Sequence, residues 1–564
     1  MWWGAISGRN MPGSESTKPA LVTNWKGLAP GLPGIWSTAL ATLLVLVMLA
    51  LLLWVVAVNA FGWFWPAAVW QVETLDGREI IGAEVGREAV PSPDGADPVF
   101  RLQFKIGNRD LDGRDFVWLD EADIRSQARP EDLVRIVRSE YGDAFGRIIG
   151  ATTPAGIAVG TKDPVALAEF LEIGVEGRAE KSRLEEKLST VRRPLTVLEE
   201  ELDLLERSTN ASTAAGKEKI ATLSARVDAL STELRPDLDQ IQSALDDVAV
   251  DLANGRLRLE SGAEIFDVPL SNIIEVSWPN RMGFFAKATA AVRHGVLFLV
   301  TEPREANTEG GIAPALFGTV LLVLLMSVAV VPLGVITAVY MTEYARPGIL
   351  LRLANQAVNN LAGVPSIVFG MFGLAFFIYG VGGTIDRTFF ADRLPTPTFG
   401  TGGLLWASLT LAILTVPVVV VATREGLLAV PRSWREGSLA LGATQWQTLR
   451  RIILPASMPG ILTGLILAVS RAAGEVAPLM LTGAVKLAPS LPVDATAPFL
   501  HLQRKFMHLG FHIYDVSMQS PNVEAAKPMA FATTLVLLLL VVLMNLAAII
   551  IRRRLRRAYR GQTV

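Results

Sequence analysis

The chain has 564 residues, of which 51% are hydrophobic and 19% charged, and its formal net charge is −2. Charge this sparse, with a mean hydropathy of +0.39, excludes an ordinary soluble multidomain protein and points to membrane-crossing runs. No cysteine is present, which excludes disulfides, thiolate catalysis and cysteine-ligated metals.

A helix rises about 1.5 Å per residue, so about 20 apolar residues cross a ~30 Å hydrocarbon core. Six stretches qualify, over 36–58, 315–341, 358–380, 403–423, 457–482 and 530–551. Residues 1–35 read as a cytoplasmic tail and 36–58 as the first transmembrane helix. This apolar run exceeds the roughly 7–15 residues of a signal peptide, so it is expected to be a retained anchor.

Residues 59–294 are too polar for the bilayer and read as an extracytoplasmic insert. Strand-like runs are expected at 69–85, 99–107, 115–124 and 255–278, with turn signals at Asp76–Gly77 and Asp112–Gly113. Between them Leu184, Leu188, Val191, Leu195, Leu198, Leu202 and Leu205 alternate spacings of four and three. Ile220, Leu223, Val227, Leu230, Leu234, Leu238, Ile241 and Leu245 continue the pattern after a polar turn from Ser208 to Gly216. This seam predicts an antiparallel coiled-coil hairpin over about 181–248 on a β-rich base, bent at Pro194 and Pro236.

Residues 295–564 carry the other five stretches. Arginines gather after alternate spans: Arg346 and Arg352, then Arg424, Arg432, Arg435, Arg450 and Arg451, then six between Arg552 and Arg560. Positive charge stays on the cytoplasmic side, so both termini and the 424–456 loop are expected there. The terminal cluster follows a span directly and reads as a topology anchor with affinity for anionic lipid rather than as a nucleic-acid site. The four histidines, His294, His501, His508 and His512, fall short of a metal-site pattern, and no metal is expected.

Residues 436–455, EGSLALGATQWQTLRRIILP, carry Glu436, Gly442 six residues on, then Ile452, Leu454 and Pro455. This resembles the EAA loop of ABC-transporter permeases, with Gly437 and Ser438 where that pattern has two alanines. The resemblance implies two short helices that dock into a partner ATPase. The stretches 298–319, 331–345, 360–373 and 470–483 are similar to the PstA-type subunit of the phosphate-specific ABC importer. That resemblance implies an all-α membrane protein of six transmembrane helices with a MetI-like permease core, the α+β insert being an extension carried by some members. It also implies a PstC-like second permease subunit, a PstB-like ATPase dimer that binds ATP and Mg, and a PstS-like external phosphate-binding protein. No cofactor is expected in this chain, because the Gly216–Lys217 pair lacks the upstream glycine and following hydroxyl of a nucleotide cradle.

Arg471 and Glu475 stand four residues apart in the fifth stretch, hence on one helical face. A charge at mid-bilayer costs roughly 2.5–3.5 kcal/mol on insertion scales, so it faces protein and has a partner. A salt bridge for packing is one reading. The other is that Arg471 presents its planar fork to an oxyanion while Glu475 neutralises it when the path is empty. The family's R-x-x-G-E pattern matches Arg471, Gly474 and Glu475 and implies the second. Where that family has Arg-Thr-Thr-Glu, this chain has Ala422, Thr423, Arg424 and Glu425, which leaves open whether Arg424 takes over the basic role. The expected function is thus a phosphate importer's permease subunit and no enzyme, against two alternatives: another oxyanion such as sulfate or molybdate, or a membrane-anchored sensor using the hairpin.

Overall fold

The computed structural model describes residues 32–90, 99–160, 164–207, 211–495, 497–520 and 523–560. The first 31 residues of the expected tail, the start of the turn at Ser208 and the side chains of Arg556, Arg557 and Arg560 lie outside the described residues. Two compact units are present, Met1–Val55 and Val56–Val564. The first contains most of a 33-residue helix, Leu32–Phe64, with no acidic residue in its first turn and no basic residue in its last.

Six described helices are long and apolar enough to cross a membrane: Trp36–Phe64, Ala313–Tyr344, Ser366–Phe389, Leu404–Leu428, Gln445–Gly474 and Val523–Arg554. They correspond in order to the six expected stretches, with two corrections. The third begins at Ser366 rather than 358, because a separate helix, Ile349–Leu361, precedes it. Pro365 separates the two, as expected where the ring restricts the residue before it and removes a donor. The fifth does not run to 482. Its helix, Leu454–Gly474, stops where Glu475 turns extended (φ −80°, ψ 132°), and a short helix, Ala477–Thr482, follows with a proline in its first turn.

The core of the bundle is apolar and tightly packed around the fourth span. Leu404, Ala407, Leu411 and Val419 are fully buried against Leu322, Val323 and Met326 of the second span and Ala468 and Ala472 of the fifth. Counting crossings from the insert puts it and the loop between spans four and five on opposite faces.

The insert is built on two antiparallel sheets. The first has the order β4-β3-β2-β1-β5, from β1 (Val69–Thr74), β2 (Glu79–Val90), β3 (Val99–Lys105), β4 (Phe116–Asp120) and β5 (Ile124–Ala128). The second has the order β10-β9-β7-β6-β11, from β6 (Leu133–Arg138), β7 (Ala144–Thr152), β9 (Arg256–Ser261), β10 (Glu264–Pro269) and β11 (Ile273–Ser277), with the short β8 (Ala158–Val159) on β7. No strand was expected at β6 or β7. Leu133, Val134 and Ile136 of β6 and Ala144, Phe145, Ile148 and Ala151 of β7 are buried on both faces of the strands, so the period-two signal is weak.

Two long helices, Pro164–Glu206 and Ala214–Asn254, pack against each other as an arm and exceed the expected 181–248 at both ends. Their lower turns bury Phe170 and Leu252 on the second sheet with Leu257, Leu259 and Leu270, rather than only on each other. Both helices continue through Pro194 and Pro236. A cleft of about 1130 Å³ lies between the outer part of the arm, including Arg193, Leu198 and Arg226, and the membrane-domain residues Arg393, Pro498 and Arg504.

The insert is bolted to the hairpin that precedes the second span. Lys105 Nζ donates to Asp143 Oδ2 at 2.7 Å, and Arg135 reaches the same oxygen at 3.1 Å. Arg109 pairs with Glu305 at 2.9 Å, and the Tyr141 amide donates to the same carboxylate at 2.6 Å. Burial alone would raise the Asp143 carboxyl, but Arg135 and Lys105 hold it well below the usual carboxylate range. Burial, with Asp143 close by, pushes Glu309 up. In Asp143→Asn two largely buried cations lose the anion they share, which should cost about 3–5 kcal/mol. Thermal unfolding should show a clearly lowered midpoint; an unchanged midpoint would mean this buried cluster does not hold β3 to the second sheet within the insert.

Candidate functional site

The loop between spans four and five folds into two short helices, Arg432–Ala440 and Gln445–Thr448. Gly442 lies between them at φ +83°, a left-handed backbone that side chains disfavour and glycine adopts freely. This explains why that position is glycine. The Gly442 amide closes on Leu439 O at 3.0 Å and the Ala443 amide on Ser438 O at 3.2 Å, which ends the first helix. Thr444 and Gln447 form a reciprocal capping box that starts the second. The chain then passes through a π-helical turn, Leu449–Ile453, into Leu454–Gly474, and Pro455, which has no amide to donate, sits directly after that turn.

Glu436 is exposed, and a Cβ on Gly437 would meet nothing within 4 Å. Ser438 points inward: it is buried, and its hydroxyl lies 2.9 Å from that of Thr448, joining the two helices. Ile452 and Leu454 are half-buried, while Leu449 and Ile453 are fully inside a cluster with Ala338, Met341, Leu427 and Val430. Leu441 (90% exposed), Trp446 (60%) and Trp434 (46%) face outward.

Arg435 was not marked as a site residue in the sequence, yet it braces the loop. It donates to Val430 O and Leu427 O at 2.7 Å each and to Glu343 Oε1 at 3.0 Å, tying the first loop helix to the ends of spans four and two. Its position beside Glu436 was the available signal.

On the membrane side of the loop a groove of about 530 Å³ runs between spans four and five, lined by Val421, Ala422, Glu425, Gly460, Thr463 and Leu467 among others. Here the two backbones touch: a Cβ on Gly460 would sit 2.6 Å from the Gly426 Cα. Thr463 accepts from Arg552 of the sixth span at 3.0 Å. Arg471 lies one helical turn beyond Leu467 on the same face.

Arg471 and Glu475 are brought together at 3.4 Å, Nε to Oε1, with side chains 34% and 20% exposed. They flank the helix break rather than sit within a continuous helix, so Glu475 ends the span while Arg471 occupies its last turn. Arg424 goes elsewhere: its guanidinium donates to Asn355 of Ile349–Leu361. Of the histidines, His508 and His512 are buried, and burial pushes them down to about 3 and about 4 respectively. His501 lies 3.0 Å from Asp494. Among the described residues no group of three or more His, Asp or Glu is placed to hold a metal.

Residues 330–557 match the family described as binding-protein-dependent transport system inner membrane component. The chain is 33% identical over 238 residues to the probable ABC transporter permease protein YqgI of Bacillus subtilis, covering 40% of this chain and 74% of that one. It is 39% identical over 171 residues to the phosphate transport system permease protein PstA 1 of Mycobacterium tuberculosis, covering 30% and 50%. It is 35% identical over 201 residues to the PstA permease protein of Yersinia pestis, covering 35% and 62%. The chain therefore spans about half to three quarters of the length of these curated relatives.

Replacing Arg435 with Ala removes three hydrogen bonds and leaves Glu343, 18% exposed, without its cation. The expected local loss is about 2 kcal/mol, which accelerates opening by more than ~10-fold. Hydrogen exchange should quicken over 430–448 and stay unchanged at the insert; equal rates over the loop would show that Arg435 does not brace it.

Proposed function

Because the chain belongs to the family of binding-protein-dependent transport system inner membrane components, we propose that it is the permease subunit of an ATP-driven inorganic phosphate importer. The observation that carries this reading is the loop at 432–448, which offers Leu441 and Trp446 outward while its inner face is locked to spans two and four. Large apolar side chains held outward among charges suit a protein partner, and such a seating makes a lever. The partner is an ATPase dimer on the cytoplasmic side, and the arginine-rich loops support a cytoplasmic position for both termini and the 424–456 segment. A second permease subunit and an external phosphate-binding protein complete the importer. The names of the relatives support phosphate over sulfate or molybdate as cargo.

Closure of the ATPases on ATP moves the loop. Its movement passes through Arg435 and Glu343 to the second span, through Leu427 and Val430 to the fourth, and directly into the fifth. The bundle thus exchanges two arrangements whose balance nucleotide binding shifts. Where the fifth span breaks, Arg471 offers planar donors to the oxyanion. Glu475 neutralises it when the path is empty and accepts a proton from protonated phosphate, which fully ionised sulfate cannot supply. Arg424, held by Asn355, lies nearer the cytoplasmic exit and adds a positive charge there.

The test is uptake of radiolabelled phosphate and sulfate by vesicles holding the assembled complex. Wild type should concentrate phosphate only with ATP. Glu436→Arg should reach the membrane yet lose ATP-driven uptake. Arg471→Ala and Glu475→Gln should assemble normally and lose transport, and undiminished flux in both would remove them from the mechanism. Preferential sulfate uptake would replace phosphate as the cargo.

A further inference from the structure

A 17-residue helix, Phe284–Val300, joins the insert to the second span and turns the wrong face outward for a protein in water. It runs across residue 294, where the sequence divides polar insert from permease core. Phe285, Val292, Val296 and Leu299 share one side of it, at spacings of seven, four and three, and are 83%, 69%, 54% and 37% exposed. Phe284 and Val300 extend this face at the two ends, 70% and 64% exposed. The opposite side is the one that meets protein. Phe298 is 3% exposed and packs at 5.4 Å on Phe64, while His294 lies 3.2 Å from Phe64 O and 3.4 Å from Glu275. Arg293, on the flank, pairs with Glu275 of β11 at 2.5 Å. In water an amphipathic helix buries its apolar stripe and solvates its polar one. Here Arg293 and His294 are engaged by the insert, and the stripe, which also carries Thr289 with its hydroxyl donating to Ala286 O, is bare.

We propose that Phe284–Val300 lies in the interfacial plane of the bilayer, its stripe from Phe285 to Leu299 immersed at the boundary between headgroups and acyl chains. The occupant of the bare face is phospholipid. Its position in the fold fixes the level. The Ile312 amide donates to Phe298 O at 2.8 Å and the Ala313 amide to Thr301 O at 3.1 Å, so the helix end is hydrogen-bonded to the first turn of the second span. Phe64, which it packs against, ends the first span. The helix is thus continuous with the ends of two membrane-crossing segments. At about 25 Å it is too short to cross a ~30 Å core, and one apolar side is exposed while the other is held to protein, the arrangement of a helix lying in the interface. Trp65 beside Phe284 at 5.6 Å adds the aromatic pair typical of that depth. Through Glu275 and His294 the lipid-seated helix carries the second sheet of the insert, so the base of the arm is held at a set height above the membrane.

The absence of cysteine makes the test clean. Phe285→Cys, Val292→Cys, Val296→Cys and Leu299→Cys, each alone in the full chain, are spin-labelled in vesicles of phosphatidylethanolamine and phosphatidylglycerol. The chain is purified with whatever proteins accompany it, and collision with oxygen is compared with collision with a water-soluble nickel chelate. Oxygen should dominate at all four positions and the chelate at Val197→Cys on the exposed arm. Dominance of the chelate at 292 and 296 would put the stripe in water. Exclusion of both agents there would put another protein over it. Either result overturns the proposal.

Discussion

The seating of one short loop on the ends of the spans is the constraint on which the rest of the molecule depends. Leu449 and Ile453 are buried among residues of spans two and four, and Arg435 reaches both spans with three hydrogen bonds. Neither contact is large alone. Together they leave the loop no route of movement that does not also move the bundle, because a packed interior transmits displacement instead of absorbing it. The other face of the loop is exposed, with Trp434, Leu441 and Trp446 set among charged residues such as Arg432 and Glu436. A rigid inner attachment with an uncommitted outer face is what coupling to a separate motor demands.

Parts of this were legible in the sequence for identifiable reasons. The loop's anchors are backbone requirements: Gly442 supplies a positive φ and Pro455 follows the π-helical turn that leads into the fifth span. Such demands fix residue type at fixed spacing and survive in a single chain. The six spans were legible because apolar length is a crude and strong signal. What hydropathy cannot show is where a helix breaks. The fifth stretch is apolar through 482, yet Gly474 and Pro478 interrupt its hydrogen-bonded ladder and leave Glu475 at the break. The helix at 349–361 was absorbed into the third stretch because its end is adjacent and moderately apolar, although its one-sided pattern marks it as a surface helix.

The insert was legible as two helices on strands but not as two sheets. β6 and β7 sit between other strands with both faces covered, so the alternation that betrays a half-exposed strand is absent. The charge cluster at its base, beside the hairpin before span two, was invisible for another reason: Lys105, Arg135, Asp143 and Glu309 are distant in sequence and ordinary in type. Only the fold gathers them. Burial turns them from surface charges into a network in which each is needed by the others. The insert is therefore an attached part of the machine, fixed at its base while its arm extends over a cleft facing the loops of the membrane domain.

Coupling of this kind requires that the loop face the cytoplasm and that a motor cover it. Leu441, 90% exposed at the tip, reports both when replaced by cysteine in this cysteine-free chain. An impermeant maleimide should label Leu441→Cys in inverted vesicles but not in right-side-out ones, and binding of the ATPase partner should suppress that labelling. Labelling from the outside, or labelling that the bound ATPase leaves unchanged, would contradict the account.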